Sequence, residues 1–161
     1  LQECFRPFTE RQESREEAKN LIYLDLHNNK IVRLNGLKQM SQLEELYVNK
    51  NHIEQTNYLT ELTHLKVLNL SENRIRNIST LNNLTELREL YLNDNPVLSD
   101  ISVISNYKEL TRLNLSNTNV SDITPLLKLT NLEWIDLTGL QIPKGQKIKL
   151  KEKIKGITII E

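Results

Sequence analysis

Residues 65–75 read LKVLNLSENRI, and this eleven-residue pattern decides the fold because it recurs along the whole chain. It can be written LxxLxLxxNxI, with apolar residues at its first, fourth, sixth and last positions and an asparagine between them. The first leucines of successive copies are 22, 22, 22, 23 and 22 residues apart. A constant period of this length is typical of a solenoid, in which each repeat packs on the next. The other copies are LIYLDLHNNKI at 21–31, LEELYVNKNHI at 43–53, LRELYLNDNPV at 87–97, LTRLNLSNTNV at 110–120 and LEWIDLTGLQI at 132–142.

Each copy predicts a short strand followed by a turn. Side chains alternate between the two faces of a strand, so the LxL leucines point into the core and the residues between them point outward. Stacking of the copies then gives a parallel sheet. The asparagine carries two donors and an acceptor, which suits it to bonding the loop backbone of adjacent repeats. We therefore predict a ladder of buried asparagines at Asn29, Asn51, Asn73 and Asn95.

The second half of each unit indicates which type of repeat this is. After Ile75 come Ile78, Leu81 and Leu84, and a three-residue apolar spacing suits a 3₁₀ segment better than an α-helix. The chain resembles the leucine-rich repeat family, and in particular its 22-residue subclass, found in the phosphatase regulator SDS22 and in bacterial internalins. The resemblance implies an α/β fold: a right-handed solenoid with a parallel β-sheet on its concave face and short 3₁₀ or irregular segments on its convex side.

The two ends predict helical caps on a single domain, 1–161. Residues 1–20 are expected to form an N-terminal helical cap, in which Phe5, Phe8 and Ala18 cover the first strand. Residues 21–142 hold six repeats. Residues 143–161 form the C-terminal cap, with a helix over 143–155 and a seventh strand at 157–160.

Proline and glycine positions and the spacing of apolar residues predict the elements of the C-terminal cap. Pro143 suits a helix start and Gly156 a helix stop. Ile148 and Leu150 supply apolar residues to the helix. Because Ile154 lies 22 residues after Leu132, the apolar residues at 154, 157 and 159 are interpreted as another LxxLxL.

Two departures from the pattern are visible. The fourth unit has one extra residue, which we place between Val97 and Ile101 and interpret as a tolerated loop insertion rather than a binding bulge. The asparagine is also replaced, by Thr118 in the fifth copy and by Leu140 in the sixth. Thr118 offers a hydroxyl and Leu140 offers nothing, so the ladder is expected to end there.

The outward strand positions sort into four columns on the predicted concave face, with the fourth column at its edge. Six acids and two bases occupy these columns, and they also hold four of the eight aromatic residues. The fourth column consists of Asn28, Lys50, Glu72, Asp94, Asn117 and Gly139. Aromatic side chains surrounded by charge are typical of protein interfaces. The candidate partner-binding residues are Tyr23, Asp25, Glu45, Tyr47, Glu89, Tyr91, Arg112, Trp134 and Asp136.

Composition excludes several classes. Lys+Arg and Asp+Glu are both 21, so the chain lacks the positive charge of a nonspecific nucleic-acid or membrane binder. The single cysteine, Cys4, forms no internal disulfide. No metal site or cofactor is suggested, and Asp25 and His27 lack the nucleophile that a catalytic set needs. The lysines at 144–155 are interpreted as the solvated side of the cap helix rather than a membrane surface.

The sequence therefore predicts a non-catalytic protein-interaction module, such as a regulatory subunit or scaffold, that is monomeric when unbound. Its partner is expected to be a protein with a basic or mixed surface. The absence of cysteine-clustered caps favours a cytoplasmic location. Two alternatives stay open: a secreted or surface bacterial adhesin of internalin type, since residues 121–132 (SDITPLLKLTNL) resemble internalin repeats, and the targeting domain of a larger enzyme.

Overall fold

A computed structural model describes residues 18–161 and contains seven short parallel strands in one sheet. The strands pair strictly in chain order, so each is hydrogen-bonded to the next. This confirms the predicted parallel sheet. The strands are β1 (Tyr23–Asp25), β2 (Glu45–Tyr47), β3 (Val67–Asn69), β4 (Glu89–Tyr91), β5 (Arg112–Asn114), β6 (Trp134–Asp136) and β7 (Thr158–Ile160).

The core lies between the sheet and a row of 3₁₀ segments on the opposite side. The central leucines of β2, β3, β4 and β5 are fully buried and in register. Ile78, Leu81 and Leu84 are buried from the other side, as their three-residue spacing predicts. Each coil thus contributes both walls of one continuous apolar core, which is the packing of a leucine-rich repeat solenoid. The 3₁₀ segments span Asn35–Gln39, Asn57–Leu59, Ser79–Leu81, Ser102–Asn106 and Thr124–Lys128.

Asparagines join consecutive turns between β1 and β4. The Asn73 amide donates to Leu70 and Ser71 of its own turn and to Val48 of the preceding turn, while its oxygen accepts from the Ile53 N–H. Asn51 and Asn95 bond in the same way one turn earlier and one turn later. Asn29 is half-buried, and within the described residues its amide donates only to its own turn.

The inserted residue lies earlier than the sequence suggested. Val97 is 48% exposed, whereas Leu98 is fully buried and occupies the last apolar position of the pattern. The insertion therefore falls between Asn95 and Leu98, and the placement after Val97 was wrong. Two adjacent apolar residues fit the same position, and only burial distinguishes them.

This insertion also explains the loss of the ladder. In the preceding turns, the N–H of the last apolar residue donates to an asparagine of the next turn. The Leu98 N–H instead donates to the Asn95 carbonyl of its own turn, at 3.1 Å. The next turn no longer needs an amide oxygen there, and Thr118 only donates to the Leu115 carbonyl.

The fourth column is not a flat part of the sheet. All six of its residues have positive φ, between 53° and 81°, because the chain turns sharply after each strand. These side chains lie at the turn beside the sheet, and their column was wrongly grouped with the strand positions. Asparagine, aspartate and glycine tolerate this conformation, whereas Lys50 and Glu72 adopt it at a cost.

The C-terminal cap contains a ten-residue helix, α1 (Lys144–Lys153), and β7. Leu150 and Ile154 are buried, but Ile148 is 56% exposed. The predicted pattern at 154, 157 and 159 makes Ile157 the equivalent of Ile135. In the structure Ile135 pairs with Ile159, so the predicted register was wrong by two residues. A two-residue shift keeps the same side chains on the same face of a strand, which is why alternation alone did not reveal it.

Most of the predicted N-terminal cap, including Phe5 and Phe8, lies outside the described residues. Ala18 is buried at the edge of the core. On the first coil Leu21, Ile22 and Tyr23 are exposed, and Leu24 is only partly buried.

Candidate functional site

The outward side chains of β1–β6 form one surface, which we call the sheet face. It consists of the nine candidate residues together with Val67, Asn69 and Asn114. Tyr23 is 52% exposed and Trp134 is partly exposed, so the aromatic side chains are not part of the core. The strands hold four carboxylates and one guanidinium on this surface. The sheet face consists of Tyr23, Asp25, Glu45, Tyr47, Val67, Asn69, Glu89, Tyr91, Arg112, Asn114, Trp134 and Asp136.

Two strands carry the same acid–phenol pair. On β2 the Tyr47 hydroxyl donates to Glu45 Oε2 at 3.2 Å, and on β4 the Tyr91 hydroxyl donates to Glu89 Oε2 at 2.5 Å. Residues two apart on a strand share a face, which brings each pair together. Burial, followed by the bond to glutamate, raises the pKa of Tyr47 and that of Tyr91 to about 12. The phenols are therefore neutral donors at physiological pH.

The polar residues in the same column on the other strands cap their own turns instead. The Asp25 and Asp136 carboxylates accept the backbone N–H groups of His27 and Thr138, each at 2.9 Å. Asn69 and Asn114 accept from serines two residues on in the same manner. The His27 backbone N–H, followed by its ring 2.7 Å away, lowers the pKa of Asp25. These carboxylates are thus partly occupied in shaping the turn, unlike Glu45 and Glu89.

Aromatic contacts lie at both ends of the sheet face. Tyr23 and Tyr47 have ring centroids 5.6 Å apart and are tilted by 45°. At the other end, the Arg112 guanidinium lies 5.4 Å from the Trp134 ring centroid, within the range of a cation–π contact. Arg112 is also in register with Glu89 on β4. The sheet face is therefore acidic over β2 and carries its one cation over β5.

Two apolar residues of this surface were missed as candidates. Val67 is half-buried between the two acid–phenol pairs, in register with Glu45 and Glu89. Ile160 on β7 is 40% exposed and in register with Asp136, so it extends the sheet face by one strand. The sequence predicted the seventh strand, but the two-residue error in its register did not place Ile160 beside Asp136.

The described residues, 18–161, contain no group of three histidine, cysteine or acidic side chains arranged to hold a metal ion. In the same part of the chain, no helix has the length and apolar character needed to cross a membrane. The Asp25 carboxylate accepts the His27 backbone N–H and lies 2.7 Å from Nδ1 of the His27 ring.

Comparison with known families identifies the repeats. A family profile described as leucine-rich repeats, in two copies, matches residues 19–61 and again 63–106, together more than half of the chain. The chain belongs to the leucine-rich repeat family. No curated protein matches it at a significant level. Leucine-rich repeats generally bind other proteins. A sheet face whose side chains lie outside the core agrees with this general function.

Similar leucine-rich repeat structures come from bacteria. An internalin (InlF) from Listeria monocytogenes is 28% identical, with a TM-score of 0.74 over 91% of this chain and 48% of that one. Internalin C2 from the same species is 22% identical, with a TM-score of 0.84 over 91% and 63%. A leucine-rich repeat protein of Leptospira interrogans is 21% identical, with a TM-score of 0.74 over 91% and 44%. The chain thus spans 44–63% of the length of these relatives.

Proposed function

We propose that this leucine-rich repeat domain is a non-catalytic module that binds a protein partner on its sheet face, as a regulatory subunit or scaffold. The observation that carries the proposal is the pair of identical acid–phenol sites, Glu45–Tyr47 and Glu89–Tyr91, held on rigid strands. Strand residues lose little conformational entropy on binding, so contacts made through them cost little to order.

The chemistry of the face selects the partner. Four carboxylates against one guanidinium favour a protein with a basic or mixed surface and disfavour nucleic acid. The aromatic anchors, Tyr91 and Trp134, offer the large apolar contact typical of interface hot spots. In this proposal the unbound domain is a monomer, and it acts in the cytoplasm.

A charge-reversal capture experiment tests the proposal. The domain is compared with a variant carrying Glu45→Arg, Glu89→Arg and Asp136→Arg. A control variant carries Glu54→Arg, Glu61→Arg and Glu109→Arg, which change net charge equally at exposed positions away from the sheet face. We expect one protein to be captured by the domain and by the control but not by the sheet-face variant. Equal capture by all three contradicts the proposal.

Truncation of the anchors then measures the interface. With the captured protein in hand, Tyr91→Ala or Trp134→Ala is expected to weaken binding by about tenfold or more, the cost of losing an aromatic hot spot. The domain should remain folded with only a modest fall in melting temperature, because both side chains are half-buried and lie outside the apolar core. Ile148→Ala removes an exposed apolar side chain on α1 and serves as the control. Unchanged affinity in both aromatic variants contradicts a sheet-face interface.

A second candidate is a secreted or surface bacterial adhesin of internalin type. The 28% identity to an internalin over 91% of this chain favours it. Fractionation of the source cells with an antibody to the domain separates the two candidates. Recovery from the culture medium or the cell surface supports the adhesin, and recovery from the cytosol supports the regulatory module.

A further inference from the structure

The repeat places two equivalent acid–phenol sites at a fixed spacing. Glu45 on β2 and Glu89 on β4 both pair in register with Val67 on β3. Neighbouring strands lie about 4.8 Å apart, so the two sites are separated by about 10 Å along the solenoid.

Each site has the chemistry to hold one arginine side chain. The phenol occupies Oε2 of its glutamate, and within residues 18–161 neither carboxylate has an ion-pair partner inside 4.0 Å. The second oxygen of each carboxylate is therefore open to a cation, beside a tyrosine ring on the same face. The Tyr47 ring also contacts Tyr23, and Arg112 is in register with Glu89 at the second site. A guanidinium suits this combination because it both bonds carboxylates and stacks on aromatic rings, whereas an ammonium does only the first well.

The spacing disfavours a β-strand as the conformation of the bound segment. In a polyproline II helix, residues three apart lie on one side and are about 9.3 Å apart. In a β-strand, residues on one side are two apart and separated by only about 6.8 Å. The polyproline geometry fits the separation of about 10 Å and leaves intervening apolar residues above Val67. Aromatic side chains are also the usual lining of grooves that bind this conformation.

We propose that the sheet face binds a polyproline-type segment of its partner through two arginines three residues apart. One arginine enters the Glu45–Tyr47 site and the other enters the Glu89–Tyr91 site. This inference rests on the proposed function, because it names the partner segment that the same face recognises.

The experiment uses fluorescent polyproline peptides in which two prolines are replaced by arginines two, three or four positions apart. Net charge is the same in all three, so general attraction to an acidic surface cannot separate them. We expect the three-residue spacing to bind about fivefold more tightly than the others, the size of one exposed ion pair. Glu45→Gln or Glu89→Gln should abolish this preference, and Glu54→Gln, which removes an exposed charge elsewhere, should leave it intact.

The outcomes separate this inference from the proposed function. Equal binding of the three peptides, or no binding of any, overturns the two-arginine segment while the captured partner still tests the sheet face. Tighter binding by a helical peptide with arginines seven positions apart, about 10.5 Å, also overturns it in favour of a helix. Failure of the charge-reversal capture, by contrast, removes the sheet face as an interface and this inference with it.

Discussion

The two halves of the solenoid are joined differently. From β1 to β4, buried asparagines bond each turn to the one before it; after β4, Thr118 and Leu140 occupy the equivalent positions. The Leu140 backbone N–H donates to the Leu137 carbonyl in place of a side-chain amide. The parallel register nevertheless continues without a break to β7.

The two halves separate the contribution of strand pairing and the leucine core from that of the asparagine ladder. Strand pairing and the leucine core are common to both halves, so they are sufficient to set the register. The asparagines satisfy buried loop groups, and they therefore contribute stability to the half that carries both acid–phenol sites. An insertion is tolerated where Asn95 supplies a backbone carbonyl in place of the next turn's side chain.

Removal of one ladder asparagine should produce the largest effect. Asn73→Ala leaves the buried Ile53 N–H without its acceptor and removes one of the two amide donors of the Val48 carbonyl, which keeps its bond from Asn51. We therefore expect a loss of about 3 kcal/mol in the free energy of unfolding. Asn29→Ala is the matched control, because Asn29 is half-buried and bonds only its own turn; about 1 kcal/mol is expected. Urea unfolding measures both, and equal losses would contradict the bridging role of the ladder.

Restoring the 22-residue period in the fourth unit tests whether the insertion causes the loss of the ladder. Deletion of Val97 forces the turn back to 22 residues and takes the Leu98 N–H from the Asn95 carbonyl, at an expected cost of about 2 kcal/mol. Thr118→Asn alone should change the free energy of unfolding by less than about 0.5 kcal/mol, since the Leu98 N–H is already bonded to Asn95 and cannot donate to the new amide oxygen. Combined, the two changes recreate a ladder step and should recover about 1 kcal/mol of the loss. Strict additivity in this double-mutant cycle would show that the insertion and Thr118 are unrelated.

The residues explain which features were predictable. The apolar positions recur six times, so they locate the strands and the inward leucines without ambiguity. The Glu-x-Tyr spacing on β2 and β4 also places both side chains on one face. Neither Asp25 nor Asp136 differs from Glu45 by charge, however, and only the structure shows that these shorter side chains bond the backbone two residues later.

Other features had a signal that was hidden. Asn28, Asp94, Asn117 and Gly139 are typical of positive φ, but Lys50 and Glu72 at the same position obscured the turn. The insertion and the register of β7 were misplaced for a related reason. In both places two positions satisfy the same apolar pattern, and long-range packing decides between them.

The turn position after each strand predicts a smaller pair of opposite effects. Gly139→Ala places a Cβ 2.8 Å from Asn117 Oδ1 at a φ of 81°, so a loss of about 1.5 kcal/mol is expected. Lys50→Gly relieves a positive φ and should raise stability by about 0.5 kcal/mol, after the entropic cost of glycine. Thermal unfolding measures both variants. The Lys50 ammonium lies 3.7 Å from a Glu72 carboxylate oxygen, and destabilisation by Lys50→Gly would show that this ion pair outweighs the strain.

Alkaline pH should affect the acid–phenol half specifically. Folding raises the pKa of Tyr47 and Tyr91 from about 10 to about 12, so their contribution to stability is complete below pH 10. It is lost as the pH rises from 10 through about 12, because the unfolded phenols ionise first. Ultraviolet titration of Glu89→Gln should show a lower pKa for Tyr91 than in the parent domain, and an unchanged titration would rule out the glutamate as a cause.

Trp134 offers the most direct test that the sheet face is the binding surface, since it is the only tryptophan of the chain and lies under Arg112 on that face. Its fluorescence is recorded while the captured partner is titrated into the domain, with calorimetry in parallel. We predict that the tryptophan fluorescence changes until it saturates, with the same midpoint concentration as the calorimetric titration. The double variant Glu45→Arg with Glu89→Arg should bind the partner at least tenfold more weakly. Calorimetric binding without a change in fluorescence, and with equal affinity in that double variant, would contradict the account.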